Sequence, residues 1–223
     1  MRSTPVRLIS GTLATAAVVV GAAAFIPRGA ASKAEAPTPP APVAYAFRTD
    51  TAVFAGGCFW SMEKAFDHLP GVLSATSGYS GGTMANPSYE QVGTGRTGHA
   101  ESVQVVFDPA RVTYARLLDV YWHSIDPTST NGQFCDHGPE YRAIVFWRGP
   151  EQRRLAEASK AQVQRHFNRR PVTTQLQAAM PFYAAEAYHQ DFADRNAAHY
   201  NAYRVGCGRD RRLRELWGDA AHR

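Results

Sequence analysis

Cysteine is scarce in this chain: Cys58, Cys135 and Cys207 are the three thiols among 223 residues. Thiols so few and so far apart exclude a disulfide-dense scaffold. The eight histidines supply no H-x-x-x-H pair and the cysteines no C-x-x-C pair, so no metal site is expected. No internal repeat is present. Excess charge is small: the formal +5 contains a basic N-terminus, and without residues 1–36 the chain has 20 basic and 18 acidic residues, or +2. That balance argues against a nucleic-acid partner, and the basic cluster "GRDRRLRELW" reads as a solvated face or a terminal helix.

Long apolar runs are also missing, with one exception. Residues 8–26 are apolar or small, follow Arg2 and Arg7, and precede the small-residue stretch Gly29-Ala30-Ala31-Ser32. This pattern predicts a signal peptide or uncleaved N-terminal anchor over residues 1–36. The leader has no adjacent arginines, so nothing indicates the twin-arginine route. Residues 37–50, "PTPPAPVAYAFRTD", read as an extended Pro/Ala-rich linker. One domain of ordinary size follows over residues 51–223. The expected location is the periplasm or cell envelope, with membrane contact only through a retained anchor, and a monomer is expected. An odd cysteine count in an exported protein flags a free or cycling thiol.

Hydrophobic periodicity predicts strands over 51–55, 72–79, 101–107, 141–147 and 173–180. Helices are predicted over 58–68, 113–125 and 151–167, the second with Thr113 as its cap. Loops rich in glycine or polar residues fill 78–98 and 126–140, and loops that long point to function. The expected fold is α+β, a two-layer α/β sandwich. Its mainly antiparallel sheet has a ferredoxin-like core, followed by a long irregular C-terminal tail from residue 181.

Two features compete for the chemistry. Gly93, Gly95 and Gly98 fit G-x-G-x-x-G, but a loop precedes them and a strand follows, so the dinucleotide reading fails. Cys58 follows Gly56-Gly57 and opens a helix, where backbone N–H groups and the dipole favour a thiolate. The competing reading is a small buried hydrophobe. Phe59 and Trp60 weigh against it, because two adjacent aromatics cannot both face one core stripe.

The stretches "GGCFWSMEKAF", "GYSGG", "NPSYEQVGTGRTGHAE", "GQFCDHGPEYRAIVF" and "AEAYHQDF" occur in the order seen in peptide methionine sulfoxide reductases of the A type. The chain resembles that family from about residue 53 to 217. The resemblance implies reduction of methionine S-sulfoxide, free or in proteins, through a Cys58 thiolate and a Cys58 sulfenic acid. It implies that Glu101 is the acid that protonates the sulfoxide oxygen, and that Tyr89 and Tyr141 hydrogen-bond that oxygen. Phe59 and Trp60 correspond to the apolar cage for the methyl group, Asp136 to an active-site aspartate, and His189 to a substrate-side histidine or an ordinary hydrogen-bonded one. Ser61 departs from the glycine that often follows the tryptophan.

A second thiol must resolve the sulfenic acid. Cys207, between glycines in the tail, is favoured over Cys135 by mobility and motif position. A thioredoxin-like dithiol protein is the implied electron donor, and no bound cofactor is expected. A thiol peroxidase is the alternative, sharing Cys58 and Cys207 but needing neither the tyrosines nor the acid.

Overall fold

The computed structural model describes residues 48–222; the expected leader and most of the linker lie outside them. Six strands form one sheet: β1 (Asp50–Ala55), β2 (Val72–Ser80), β3 (Ala100–Phe107), β4 (Ile144–Trp147), β5 (Gln175–Ala178) and β6 (Tyr183–Ala184). Their order is β5-β4-β1-β3-β2-β6. All pairings are antiparallel except β4 with β5. The inner order β4-β1-β3-β2, with helices α1 (Phe59–Asp67) and α3 (Tyr114–His123) as the two crossovers, is the split βαβ arrangement of a ferredoxin-like core. A short helix α2 (Tyr89–Gly93) lies between β2 and β3, and α4 (Gly149–Phe167) follows β4.

Strand β1 is central because both of its faces are apolar. Ala52 and Phe54 join the main core under the helices, while Val53 and Ala55 pack with Ala100, Ile144, Phe146 and Phe182 on the other face. Phe54 stacks on Phe66 of α1 at 5.2 Å and on Tyr121 of α3 at 5.1 Å. The Tyr121 hydroxyl donates to Ala55 O at 2.9 Å, which pins α3 to the end of β1. Burying a side chain of this size contributes about 2–3 kcal/mol, so this stack holds the strand that delivers Cys58.

Thr113 caps α3 as expected, its hydroxyl accepting from Arg116 N at 3.2 Å. The structure departs from the sequence reading in three places. The strand expected over 141–147 begins only at Ile144, because Pro139 opens a 3-10 turn, Pro139–Tyr141. The loop expected over 78–98 contains α2, whose Ser88–Gln91 capping box stabilises a very short helix. The C-terminal tail is not irregular: it carries α5 (Phe192–Arg195), α6 (Ala197–Gly206), α7 (Arg209–Trp217) and a closing 3-10 turn. Gly208, at φ +63°, breaks the last two helices apart and hides their periodicity. No helix among the described residues is long and apolar enough to cross a membrane.

Candidate active site

The site is built at the end of β1. Gly56 and Gly57 have no room for a side chain: a Cβ on Gly56 would lie 2.7 Å from Ile125 Cγ2, and one on Gly57 2.6 Å from Gln133 Cβ. Gly57 also sits at φ +82°, the left-handed region that favours glycine. The turn sets Cys58 at the N-cap of α1, where its carbonyl accepts from Ser61 N at 3.1 Å.

Glu101 comes from β3, next to β1. Its Oε2 accepts the Phe59 backbone N–H at 2.9 Å, so the acid takes a free donor of the first turn of α1, next to the thiol. Burial pushes the Glu101 carboxyl up to about 8; the Phe59 N–H opposes this, and Asp136 and Glu140 add to the rise. The acid is therefore largely protonated at neutral pH, as its expected role requires.

The thiol departs from expectation. Burial, followed by the charge on Glu101, pushes Cys58 up to about 12, against the Tyr203 hydroxyl and the Trp60 N–H, which favour the anion. The helix terminus is present as predicted, but desolvation by the surrounding elements outweighs it.

Cys58, Phe59, Trp60, Tyr89, Glu101, Asp136 and Tyr141 line one cavity of about 90 Å³, together with Tyr203. Tyr89 opens α2, and its backbone N–H donates to Glu186 Oε1 at 2.9 Å. Tyr141 ends the 3-10 turn. Burial raises both phenols, Tyr89 to about 12 and Tyr141 well above the usual tyrosine range, so both are neutral donors at physiological pH.

Trp60 stacks on Phe192 at 3.7 Å and meets the edge of Tyr203 at 6.1 Å, so the tail holds one wall. His189 sits behind that wall rather than among the lining residues. Its Nδ1 accepts from Trp60 Nε1 at 3.2 Å, and its ring packs against Phe59 and Tyr89. Burial lowers its pKa, so it holds Trp60 as a neutral imidazole.

Tyr203 is the lining residue the sequence reading missed. It donates to Asp136 Oδ2 at 2.6 Å and lies within hydrogen-bond reach of the Cys58 sulfur. Tyr200, Tyr203 and Cys207 lie at i, i+3 and i+7, which would have placed them on one face had the tail been read as helix.

The disulfide also differs from the expected Cys58–Cys207 bond. Cys207 is bonded to Cys135, with Cα atoms 5.0 Å apart, and Cys58 is free and buried. Asp136 faces the cavity as expected, while its neighbour Cys135 is exposed.

The comparisons agree with this geometry. The family model for peptide methionine sulfoxide reductase matches residues 50–221. Peptide methionine sulfoxide reductase MsrA 2 of Caulobacter vibrioides is 49% identical over 178 residues, covering 80% of this chain and 90% of that protein. Methionine sulfoxide reductase A of Corynebacterium diphtheriae aligns with a TM-score of 0.60 at 33% identity, covering 67% of this chain and 76% of the other. Mxr1 of Saccharomyces cerevisiae in its reduced form aligns at 0.64 and 28% identity, covering 67% and 87%. The chain belongs to the peptide methionine sulfoxide reductase family, A type, and is an oxidoreductase acting on methionine sulfoxide.

Proposed function

We propose that this enzyme reduces the S epimer of methionine sulfoxide, free or in peptides, by attack of the Cys58 thiolate on the sulfoxide sulfur. The observation that carries the reading is the convergence of a thiol, a protonated acid and two neutral phenols in one small cavity walled by Phe59 and Trp60.

Glu101 delivers a proton to the sulfoxide oxygen as the sulfur is attacked, and Tyr89 and Tyr141 donate hydrogen bonds to the same oxygen. Phe59 and Trp60 accept the methyl group. Oxygen transfer leaves a Cys58 sulfenic acid and a thioether. The substrate sulfur gains two electrons and the Cys58 sulfur loses two.

Cys207 then attacks the sulfenic sulfur, releasing water and forming a Cys58–Cys207 bond. The Cys135 thiolate attacks Cys207 in turn, freeing Cys58 and leaving a Cys135–Cys207 bond on the outer side, where Cys135 is exposed. A thioredoxin-like dithiol protein reduces that bond by exchange. The leader pattern supports a place in the periplasm or cell envelope.

A single-turnover assay on the two epimers tests the reading. Protein retaining Cys58 alone should yield one equivalent of methionine from the S form, and Cys58→Ser none. Turnover of the R form alone would overturn it, and turnover of peroxide in preference to sulfoxide would favour a thiol peroxidase. Cys207→Ser should keep the first turnover and lose thioredoxin-driven cycling, while Cys135→Ser should trap the Cys58–Cys207 bond for mass spectrometry. A Cys207→Ser enzyme that still cycles at the parent rate would sink this order of exchange.

A further inference from the structure

Arg209 is an unusual residue for the interior. It is 1% exposed, and among the described residues no carboxylate lies within ion-pair distance of it. Its neighbours in α7, by contrast, have carboxylate partners at partly buried sites: Asp210 pairs with Arg204, and Arg212 with the buried Asp126. A lone buried cation is among the costliest groups a fold can hold, and selection normally supplies it with an anion.

The guanidinium is held by neutral groups. Nη2 donates to Ser124 O at 2.9 Å and to Gly56 O at 3.4 Å, and lies 3.7 Å from Met62 Sδ. The Phe134 ring lies under it at 4.3 Å. Nη1 has no partner and is buried. That atom faces the thiol's turn, since a Cβ on Gly57 would sit 3.9 Å from it. One cation thus touches the residue before Cys135 and the turn before Cys58, and it lies two residues after Cys207.

We propose that Arg209 is a positioning residue for Cys58: it fastens the Gly56–Gly57 turn through its carbonyl contacts and supplies the positive charge that favours the thiolate. The inference deepens the proposed sulfoxide reduction and rests on Cys58 being its nucleophile. Burial pulls the Arg209 guanidinium down, and the charge on Cys58 is among the smaller influences that oppose this fall; the closer link to the thiol is the turn that Arg209 holds.

The other charged and titratable groups around the pair do not replace it. Glu101 and Asp136 face Cys58 and oppose its ionisation, and burial raises Tyr89 and Tyr203, which stay neutral phenols near neutral pH. Arg204, the other cation near Arg209, has its charge offset by Asp210. In the resting cavity desolvation dominates the thiol, and Arg209 is the nearby cation left to offset it.

The test is the pH dependence of Cys58 alkylation by iodoacetamide, an uncharged reagent, in protein with Cys135→Ser and Cys207→Ser. Because no sulfoxide is involved, the result is independent of the substrate assignment. Arg209→Met and Arg209→Gln should alkylate about tenfold more slowly at pH 8.5, as expected for a thiol pKa raised by one unit. Arg209→Lys should recover the parent rate within about threefold. Equal alkylation profiles in the parent and both neutral variants would overturn the proposal, as would a loss that Arg209→Lys does not restore. If the neutral variants do not fold, citrulline at position 209, introduced by ligating a synthetic segment at Cys207 in Cys135→Ser protein and with alkylation read on the Cys58 peptide by mass spectrometry, keeps the shape and removes the charge. An unchanged Cys58 alkylation profile in that protein would overturn the proposal equally.

Discussion

The segment that carries Cys58 and the segment that carries Cys207, joined by the proposed mechanism in one reaction, are built in opposite ways. Around Cys58 every degree of freedom is taken. Gly56 and Gly57 are closed in by Ile125, Met62 and Gln133, the thiol is 7% exposed, and Glu101 is tied to the first turn of α1. Around Cys207 there is space. A Cβ on Gly206 would meet nothing within 4 Å, one on Gly208 would meet only the flexible end of Arg211, and Val205 is 76% exposed. Attack on a sulfoxide needs a nucleophile held in place, whereas thiol exchange among three sulfurs needs one that can travel. The proposed mechanism divides the two chemistries between a packed core turn and a loosely packed helix end.

That contrast can be broken from either side. The largest expected effect is at the packed end. Gly57→Ala forces a side chain into the left-handed region against Gln133 and should cost on the order of 2–3 kcal/mol in denaturant unfolding. An intermediate effect is expected where the two segments meet. Tyr203→Phe removes the hydroxyl that links Asp136 to the cavity and should slow single turnover about tenfold, the worth of one hydrogen bond near a charged group. Because the bond is already present in the free enzyme, the variant should also lose about 1–2 kcal/mol in thermal unfolding. The smallest effect is at the loose end. Gly206→Ala lies at the last helical residue of α6 and should stabilise by about 0.5–1 kcal/mol. If loose packing serves exchange, this variant should cycle more slowly with thioredoxin while its first turnover is unchanged. Equal changes in both rates would remove the contrast.

Stability should report the same acid. Glu101 is raised above its ordinary value, so its contribution is fully present below about pH 4.5 and is lost as pH rises through about 8. Glu101→Gln should therefore lose less thermal stability than the parent between pH 5 and pH 9.

Much of the molecule was legible from local signals. Gly-Gly before Cys58, the cap at Thr113 and the strand signal over 101–107 each act within a few residues, and the structure places them as read. Seven residues singled out from motif stretches converge on one cavity although they lie on separate elements. What escaped was non-local. The tail's helices are broken by Gly208 and α7 is mostly charged, so their register became visible only through packing on Trp60 and the core. Tyr203 escaped with them. The ionisation of Cys58 is not legible locally for the same reason, since a helix terminus is a local feature whereas burial is imposed by distant strands and by the tail. The Cys135–Cys207 bond joins a loop to a helix end 72 residues away, a pairing that spacing alone does not specify.

The central claim is that Cys58 attacks as thiolate while Glu101 retains its proton. The reactive state is then the one-proton form of the Cys58–Glu101 pair, and its apparent titrations belong to the pair. With values of about 8 and about 12, that form fills as the first proton leaves. The most direct measurement is single-turnover reduction of the S-sulfoxide against pH, in Cys58-only protein with and without Glu101→Gln. The parent rate should rise to about pH 8 and then level off. The variant should be slower by about 10²–10⁴-fold at pH 7 and should climb with no break near pH 8. A variant that keeps the parent rate, or shows the same break, would contradict the account.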